Sequence, residues 1–420
     1  MQMQSINRKL IRDAVHGDIE LGSLEVELID TPEFQRLRGI KQLGTAYLVF
    51  PSALHTRFEH SLGASWMAHR IVSALRRSQP VSSDEETLIR VTALLHDITH
   101  IPFGHTLEDE RRVLPRHDED VARTQYFFQE SSLSRILDRA GIRDAVVSAL
   151  TDDDSLPADV AAGPISADLL DYLRRDTYFC GLSQYYDARV FESFTIENGR
   201  MVLTLEKRGV LRRDALSELV NLLRIRYSLA ERVYFHHTKI ASGAMISKAV
   251  ELALGAGFRV EELRSLTDET LIWTLRQRYS AEPAIVHLLD CFQRRALYKP
   301  CMTWTSDVDE QKRRSMVDRF HDNGVERERA EHALAAAAGL APHQVIVYCP
   351  SFGMSLQEAD VLVRMESGRL LRLSDSNNEE IRILKDKHKA LWRFFVLIDR
   401  AAWDRRDVVA RAAAEYIGMN

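Results

Sequence analysis

Along most of this chain apolar side chains return every three or four positions, the spacing of helices that bury one face. The pattern predicts helices over 88–95, 120–128, 133–140, 142–150 and 167–175, a long helical stretch over 213–253, and a short alanine-rich helix at 333–338. Strand signals are few: 200–205 after the turn-prone Asn198-Gly199, and 344–348 with 360–364. The expected fold class is mainly α, a helical core with a smaller C-terminal α/β segment. Lys299-Pro300 ends the helical run, which sets a loose boundary between 1–300 and 301–420. The acidic run 151–155, followed by Pro157 and Pro164, reads as a solvated loop rather than a calcium site.

At 420 residues and 45% hydrophobic, the chain is long enough for one large core plus a subsidiary module. No apolar run reaches the ~18 residues of a membrane span, and residues 1–5 lack the pattern of a signal peptide. Cys180, Cys291, Cys301 and Cys349 show no CxxC spacing, which fits reduced thiols and a cytoplasmic location. A net charge of −5 supplies no global attraction to nucleic acid. Local basic clusters such as Arg224 with Arg226, or 312–314, read either as phosphate contacts or as solvated helix faces.

Four residues stand out chemically. His60, His96, Asp97 and Asp168 offer two imidazoles and two carboxylates, a donor set suited to Fe, Mn, Zn, Ni or Co. The His96-Asp97 pair closes an apolar helical run, His60 heads a second amphipathic helix, and Asp168 opens a third. A lone His-Asp pair is more often a hydrogen-bonded core histidine than a ligand. Here His100, His105 and His117 follow closely, in a chain with 15 histidines. On the third helix Asp168, Tyr172 and Asp176 stand four residues apart and so share one face.

The order His60, His96-Asp97, Asp168 resembles the HD superfamily of metal-dependent phosphohydrolases. The words at 29–38, 40–44 and 58–63 resemble, more narrowly, the deoxynucleoside triphosphate triphosphohydrolases of bacteria and animals. The resemblance is strongest over 9–176, with a metal-site core at about 50–180, and continues more weakly to Tyr234 and over 345–399. No sterile-alpha-motif domain, which the animal members carry, is expected here. The resemblance implies hydrolysis of a dNTP to deoxynucleoside and triphosphate, with Mg on the phosphates as a further expected ion. It implies His105 as general acid, with His100, His117 and Glu108 orienting it or touching phosphate, although the animal enzyme has Asp where Glu108 stands and Asp109 is a neighbour able to substitute. It implies Gln42, Leu43, Tyr172, Asp176 and Tyr234 around the sugar, Leu43 and Tyr234 crowding the 2′ position, and Arg57 and Arg226 on phosphate. Without the resemblance, Tyr172 and Leu43 would read as core.

A guanine-nucleotide activator site at Lys9, Asp30, Gln35 and Arg38, an activating GTP or dNTP, and a homotetramer are implied in the same way, the 301–420 segment packing on the catalytic part and aiding assembly. Residues 30–33 also read as a plain helix start, and Arg38 as a surface ion-pair partner. Besides Glu108, three departures are visible: Leu169 replaces a phosphate-contacting lysine, and Arg12 and Asp18 differ from the animal pattern at a neighbouring activator site. Two readings compete, an HD phosphohydrolase for another nucleotide or a nucleic-acid end, and a non-catalytic nucleotide sensor or single-strand binder.

Overall fold

The protein's structure, a computed structural model, describes residues 8–151 and 154–418. The N-terminal reading of residues 1–5, and Asp152 and Asp153 of the acidic loop, lie outside the described residues. The fold is mainly α, with small sheets. It opens with an antiparallel hairpin of β1 (Lys9–Asp13) and β2 (Gly17–Leu21). Three helices then build the centre: α1 (Arg57–Leu75), α2 (Ser83–Leu95) and α3 (Ala167–Phe179). Each starts where a cap satisfies its free backbone donors. Thr56 and Glu59 form a capping box on α1, Ser82 accepts from Glu85 on α2, and Ser166 accepts from Leu169 on α3. These caps put His60 and Asp168 in first turns.

Strands β3 (Phe194–Glu197) and β4 (Arg200–Thr204) follow as a hairpin. The stretch expected as one helix over 213–253 is instead α4 (Arg213–Leu229), a wide π turn at Ala230–Tyr234, and α5 (His237–Gly255). The break falls where Tyr234 must turn its hydroxyl toward Asp176. After α6 (Pro283–Gln293) comes β5 (Lys299–Thr305), so residue 300 lies inside a strand. Pro300 is tolerated there because β5 is an edge, where a missing N–H costs little. Helix α7 (Gly324–Ala337) precedes β6 (Val345–Tyr348), β7 (Leu362–Arg364), β8 (Leu370–Arg372) and β9 (Arg393–Ile398). Strand β9 pairs antiparallel with both β5 and β6. Strand β7 pairs parallel with β4, so one sheet draws strands from both sides of residue 300.

Helix α1 divides its apolar residues between two cores. Phe58 and Leu62 pack with Leu94 and Leu95 of α2, while Met67, Ile71 and Val72 pack with Leu170 and Leu173 of α3. No described helix is long and apolar enough to cross a membrane. The four cysteines are unpaired.

Candidate functional site

Where α1, α2 and α3 converge, four donors meet. His60 Nε2 lies 3.2 Å from His96 Nε2, 3.0 Å from Asp168 Oδ1 and 3.6 Å from Asp97 Oδ2. His96 Nε2 is 3.5 Å from one oxygen of each aspartate. Both rings present Nε2 because Nδ1 is engaged behind: His60 Nδ1 with Asp171 at 2.7 Å, and His96 Nδ1 with the Ala93 carbonyl at 2.7 Å. Such backing fixes tautomer and ring direction, as metal-ligating histidines require. Burial favours a neutral His60, yet hydrogen bonds to Asp168 and Asp171 outweigh it and push its pKa up to about 10. Burial would likewise raise Asp168, but His60 and His96 hold it far below the carboxylate range. The donor set fits a divalent metal ion.

Asp171 is the hub behind the site. Its carboxylate also accepts from His16 of the β1–β2 turn at 2.6 Å and from Arg175 at 2.8 and 2.9 Å, and Arg175 reaches Asp13 at 2.8 Å. Gly63 on α1 leaves room for this network, since a Cβ there would stand 1.9 Å from Asp171 Oδ1. On the other flank Arg36 holds the turn after α2, donating to the carbonyls of His100 at 2.7 Å and Ile98 at 2.5 Å.

Beside the first group lies a second. His105 Nδ1 is 3.0 Å from Glu108 Oε2 and His117 Nδ1 is 3.4 Å from the same oxygen, while Arg123 donates to Oε1 at 2.9 Å. Burial would raise Glu108, but the His105 and His117 hydrogen bonds and nearby imidazoles hold it far below the usual range. Glu108 is therefore a carboxylate, and among the described residues His105 keeps Nε2 free. His100 stacks on His117 at 3.6 Å and sits 3.2 Å from Asp97, joining the two groups. Burial and the Arg57 charge keep His100 neutral.

These groups open on a cavity of about 530 Å³. His96, Asp97, Asp168, His105 and His117 line it, while His60, His100 and Glu108 stand behind. Gln42, Leu43, Arg57, Tyr172, Asp176, Arg226 and Tyr234 line it too. Arg57 pairs with Asp97 through Nη1, and its Nε and Nη2 are buried without a partner among the described residues. Asp176 accepts from Tyr234 at 2.6 Å and meets His55 at 2.9 Å. Arg226 is already engaged: Glu358 accepts from its Nε at 2.7 Å and from Tyr172 at 3.3 Å. Leu169 is 3% exposed in the core, so no cation follows Asp168 into the cavity.

Sequence reasoning missed Asp171, His16, Asp13, Arg123, His55 and Glu358, and also Lys239 and Arg116, two cations that line the cavity. Asp171 stands three residues after Asp168, a helical spacing that was its one available signal. Lys9, Asp30, Gln35 and Arg38 do not line the cavity. Gln35 donates to the Ile29 carbonyl and accepts from Arg38, whose guanidinium lies over Phe58 at 3.5 Å. Asp30 is exposed and Thr31, not Asp30, caps the next helix. Arg12 and Asp18 pair with each other across the hairpin at 2.9 Å.

The HD domain family model matches residues 57–145, and the HD associated region model matches residues 189–420. An uncharacterised protein of Methanocaldococcus jannaschii is 32% identical over 341 residues, 75% of this chain and 66% of that protein. The deoxynucleoside triphosphate triphosphohydrolase SAMHD1 of Homo sapiens is 29% identical over 339 residues, 68% of this chain and 53% of that protein. The chain thus spans about half to two thirds of the length of these relatives. Among solved structures, a phosphohydrolase from Bacteroides thetaiotaomicron has a TM-score of 0.70 at 21% identity, over 93% of this chain and all of the other. A hypothetical protein from Aquifex aeolicus also scores 0.70, at 24% identity, over 97% of this chain and all of the other. Both show the fold.

Proposed function

From a chain that belongs to the HD family and carries its associated region, we propose a metal-dependent phosphohydrolase that splits deoxynucleoside triphosphates into deoxynucleoside and triphosphate. One observation carries the reading. His96, Asp97 and Asp168 of the donor quartet and His105 open on one cavity, with His60 and Glu108 held behind them and Asp176 and Tyr234 elsewhere on its wall. A divalent ion held by His60, His96, Asp97 and Asp168 would supply Lewis acidity and a lowered pKa for attacking water.

The chain's own groups do the rest. Water adds to the α-phosphorus, its proton passing to solvent, and the bond to the 5′ oxygen breaks, leaving an alkoxide that needs a proton. His105 supplies it from Nε2, while Glu108 on Nδ1 stabilises the charged ring before transfer. Arg57, buried with unsatisfied N–H groups, neutralises phosphate charge. Asp176, Gln42 and Tyr172 hold the sugar, and Leu43 and Tyr234 crowd its 2′ side. His105→Ala is expected to keep its metal and lose about 10²–10⁴-fold in kcat. Metal content and single-turnover rates check this, and an unchanged rate removes His105 from the step.

A second reading is a shorter nucleotide as substrate, favoured by Leu169 and by Glu358 on Arg226. Product analysis over dNTPs, NTPs and nucleoside monophosphates decides, and phosphate release from monophosphates alone would overturn the triphosphate reading. Regulation belongs to the same proposal: a guanine nucleotide on Lys9, Asp30, Gln35 and Arg38 stabilises a tetramer. Activation requires tighter binding to the assembled state. Mass and rate indifferent to GTP, in both the parent and Arg38→Ala, would make those residues structural.

A further inference from the structure

Away from the cavity, a second set of mixed donors joins the two ends of the chain's later half. His287 and Cys291 are one turn apart on α6, hence on one face. Asp399 follows directly after β9. His287 Nε2 lies 2.7 Å from Asp399 Oδ2 and 3.6 Å from Cys291 Sγ, and the three donor atoms all fall within 4.8 Å of one another. The His343 ring stands 5.1 Å from that of His287, centre to centre. Cys291 and Asp399 are buried, and His287 is 33% exposed at the side chain, so the cluster has an opening to solvent.

One Nε2 atom facing a thiol and a carboxylate together is difficult to explain as hydrogen bonding alone. A single ring proton serves only one of them well, and it goes to the carboxylate. Asp399 is independently supplied, since Oδ1 accepts from the Ala401 N–H at 2.9 Å and Oδ2 from Gln344 at 3.1 Å. Nor is this a nucleophile with its base. The imidazole nitrogen that would serve as base lies nearer the carboxylate, at 2.7 Å, than the sulfur, at 3.6 Å.

We propose that His287, Cys291 and Asp399 form a second metal site, distinct from the donor quartet of the cavity, for a borderline-soft divalent ion such as zinc. The donors are the imidazole nitrogen, thiolate sulfur and carboxylate oxygen that zinc takes. A water fills the fourth position, and the His343 ring stands beside the cluster. Bonds of ~2.0–2.3 Å in a tetrahedron separate donors by roughly 3.3–3.8 Å, which the sulfur-nitrogen distance already meets. The His–Asp contact opens slightly as the ion replaces their shared proton. That proton and the thiol proton pass to solvent, so binding is coupled to deprotonation. The role is structural: the ion ties α6 to the end of β9.

Cobalt(II) loading of the metal-stripped full chain tests this, because the cavity quartet offers only nitrogen and oxygen. A thiolate-to-cobalt charge-transfer band in the near ultraviolet is expected, displaced by zinc and absent in Cys291→Ser. His287→Gln keeps the thiol and is expected to weaken cobalt binding, followed by the same band, more than about tenfold; it decides the matter should Cys291→Ser fail to fold. No thiolate band in the parent, a band that survives in Cys291→Ser, or cobalt binding unaltered by His287→Gln would overturn the proposal.

Discussion

Asp171 does not line the cavity, yet it sets the direction of a ring that serves it. Its oxygens take His60 Nδ1, His16 and Arg175. Asp171→Asn keeps the shape but removes the charge and one acceptor, so divalent metal affinity is expected to fall about 10–100-fold. Gly63→Ala attacks the same contact from α1, where the new Cβ would overlap Asp171 Oδ1 at 1.9 Å, and is expected to lose at least as much. Metal titration of both variants checks this, and parental affinity in both would make the hub dispensable. This residue scale is also where the sequence was read most unevenly. His60, His96, Asp97 and Asp168 were legible because imidazoles and acids in that order carry their own chemistry. Asp171, Asp13 and His16 were not, because an acid on a helix and a histidine in a turn acquire their meaning only from what folds against them.

Among elements, α2 and α3 were legible because their apolar residues keep step with the turn, whereas the short helix Leu156–Ala162 was not, because Pro157 reads as a breaker and serves there in the first turn. The 213–253 stretch kept the same step on both sides of residues 230–236, so periodicity did not register the break. Strand β9 was missed for a related reason. Buried on both faces between β5 and β6, its Phe394-Phe395-Val396-Leu397-Ile398 run does not alternate, and an unbroken apolar run does not separate strand from buried helix. The break has a use: it aims Tyr234 at Asp176, in a cavity that Leu43 also lines. If this pair excludes a 2′ hydroxyl, the parent prefers dGTP to GTP, and Leu43→Ala narrows that preference by about tenfold or more, the scale of a lost apolar contact. Paired kcat/KM values test it. Equal values in the parent would show that the turn packs the wall and does not choose the sugar.

For the whole molecule, the tie between the catalytic core and the later segment runs through a buried acid. Glu331 of α7 takes Arg111 at 2.5 Å, Lys248 of α5, and the Val347 N–H of β6 at 2.8 Å. Burial would raise its pKa, but Arg111 and Lys248 hold it at about 2, against an ordinary 4.5. A depressed acid contributes fully above its unfolded value and loses that contribution as pH falls through its folded one. Stability is therefore expected to decline from about pH 4.5 toward 2, and Glu331→Gln to flatten that part of the curve. At neutral pH the same change leaves Lys248 without its paired acid and Arg111 with Glu251 alone, and is expected to cost about 3–5 kcal/mol. Urea melts at several pH values measure both, and a parental acid slope in the variant would move the linkage elsewhere. The same segment sends Glu358 onto Arg226. Because this carboxylate is tethered, dilution never lowers its local concentration, and it acts as a resident rival to any phosphate that reaches for Arg226. Apparent affinity is then the intrinsic affinity scaled by the fraction of molecules with Arg226 released. If Arg226 meets the distal phosphates of the proposed substrate, a triphosphate competes with Glu358 and a monophosphate does not. Glu358→Gln is expected to lower KM for dNTPs and leave that for monophosphates where it was; an unaltered dNTP KM would mean that substrate and carboxylate never compete.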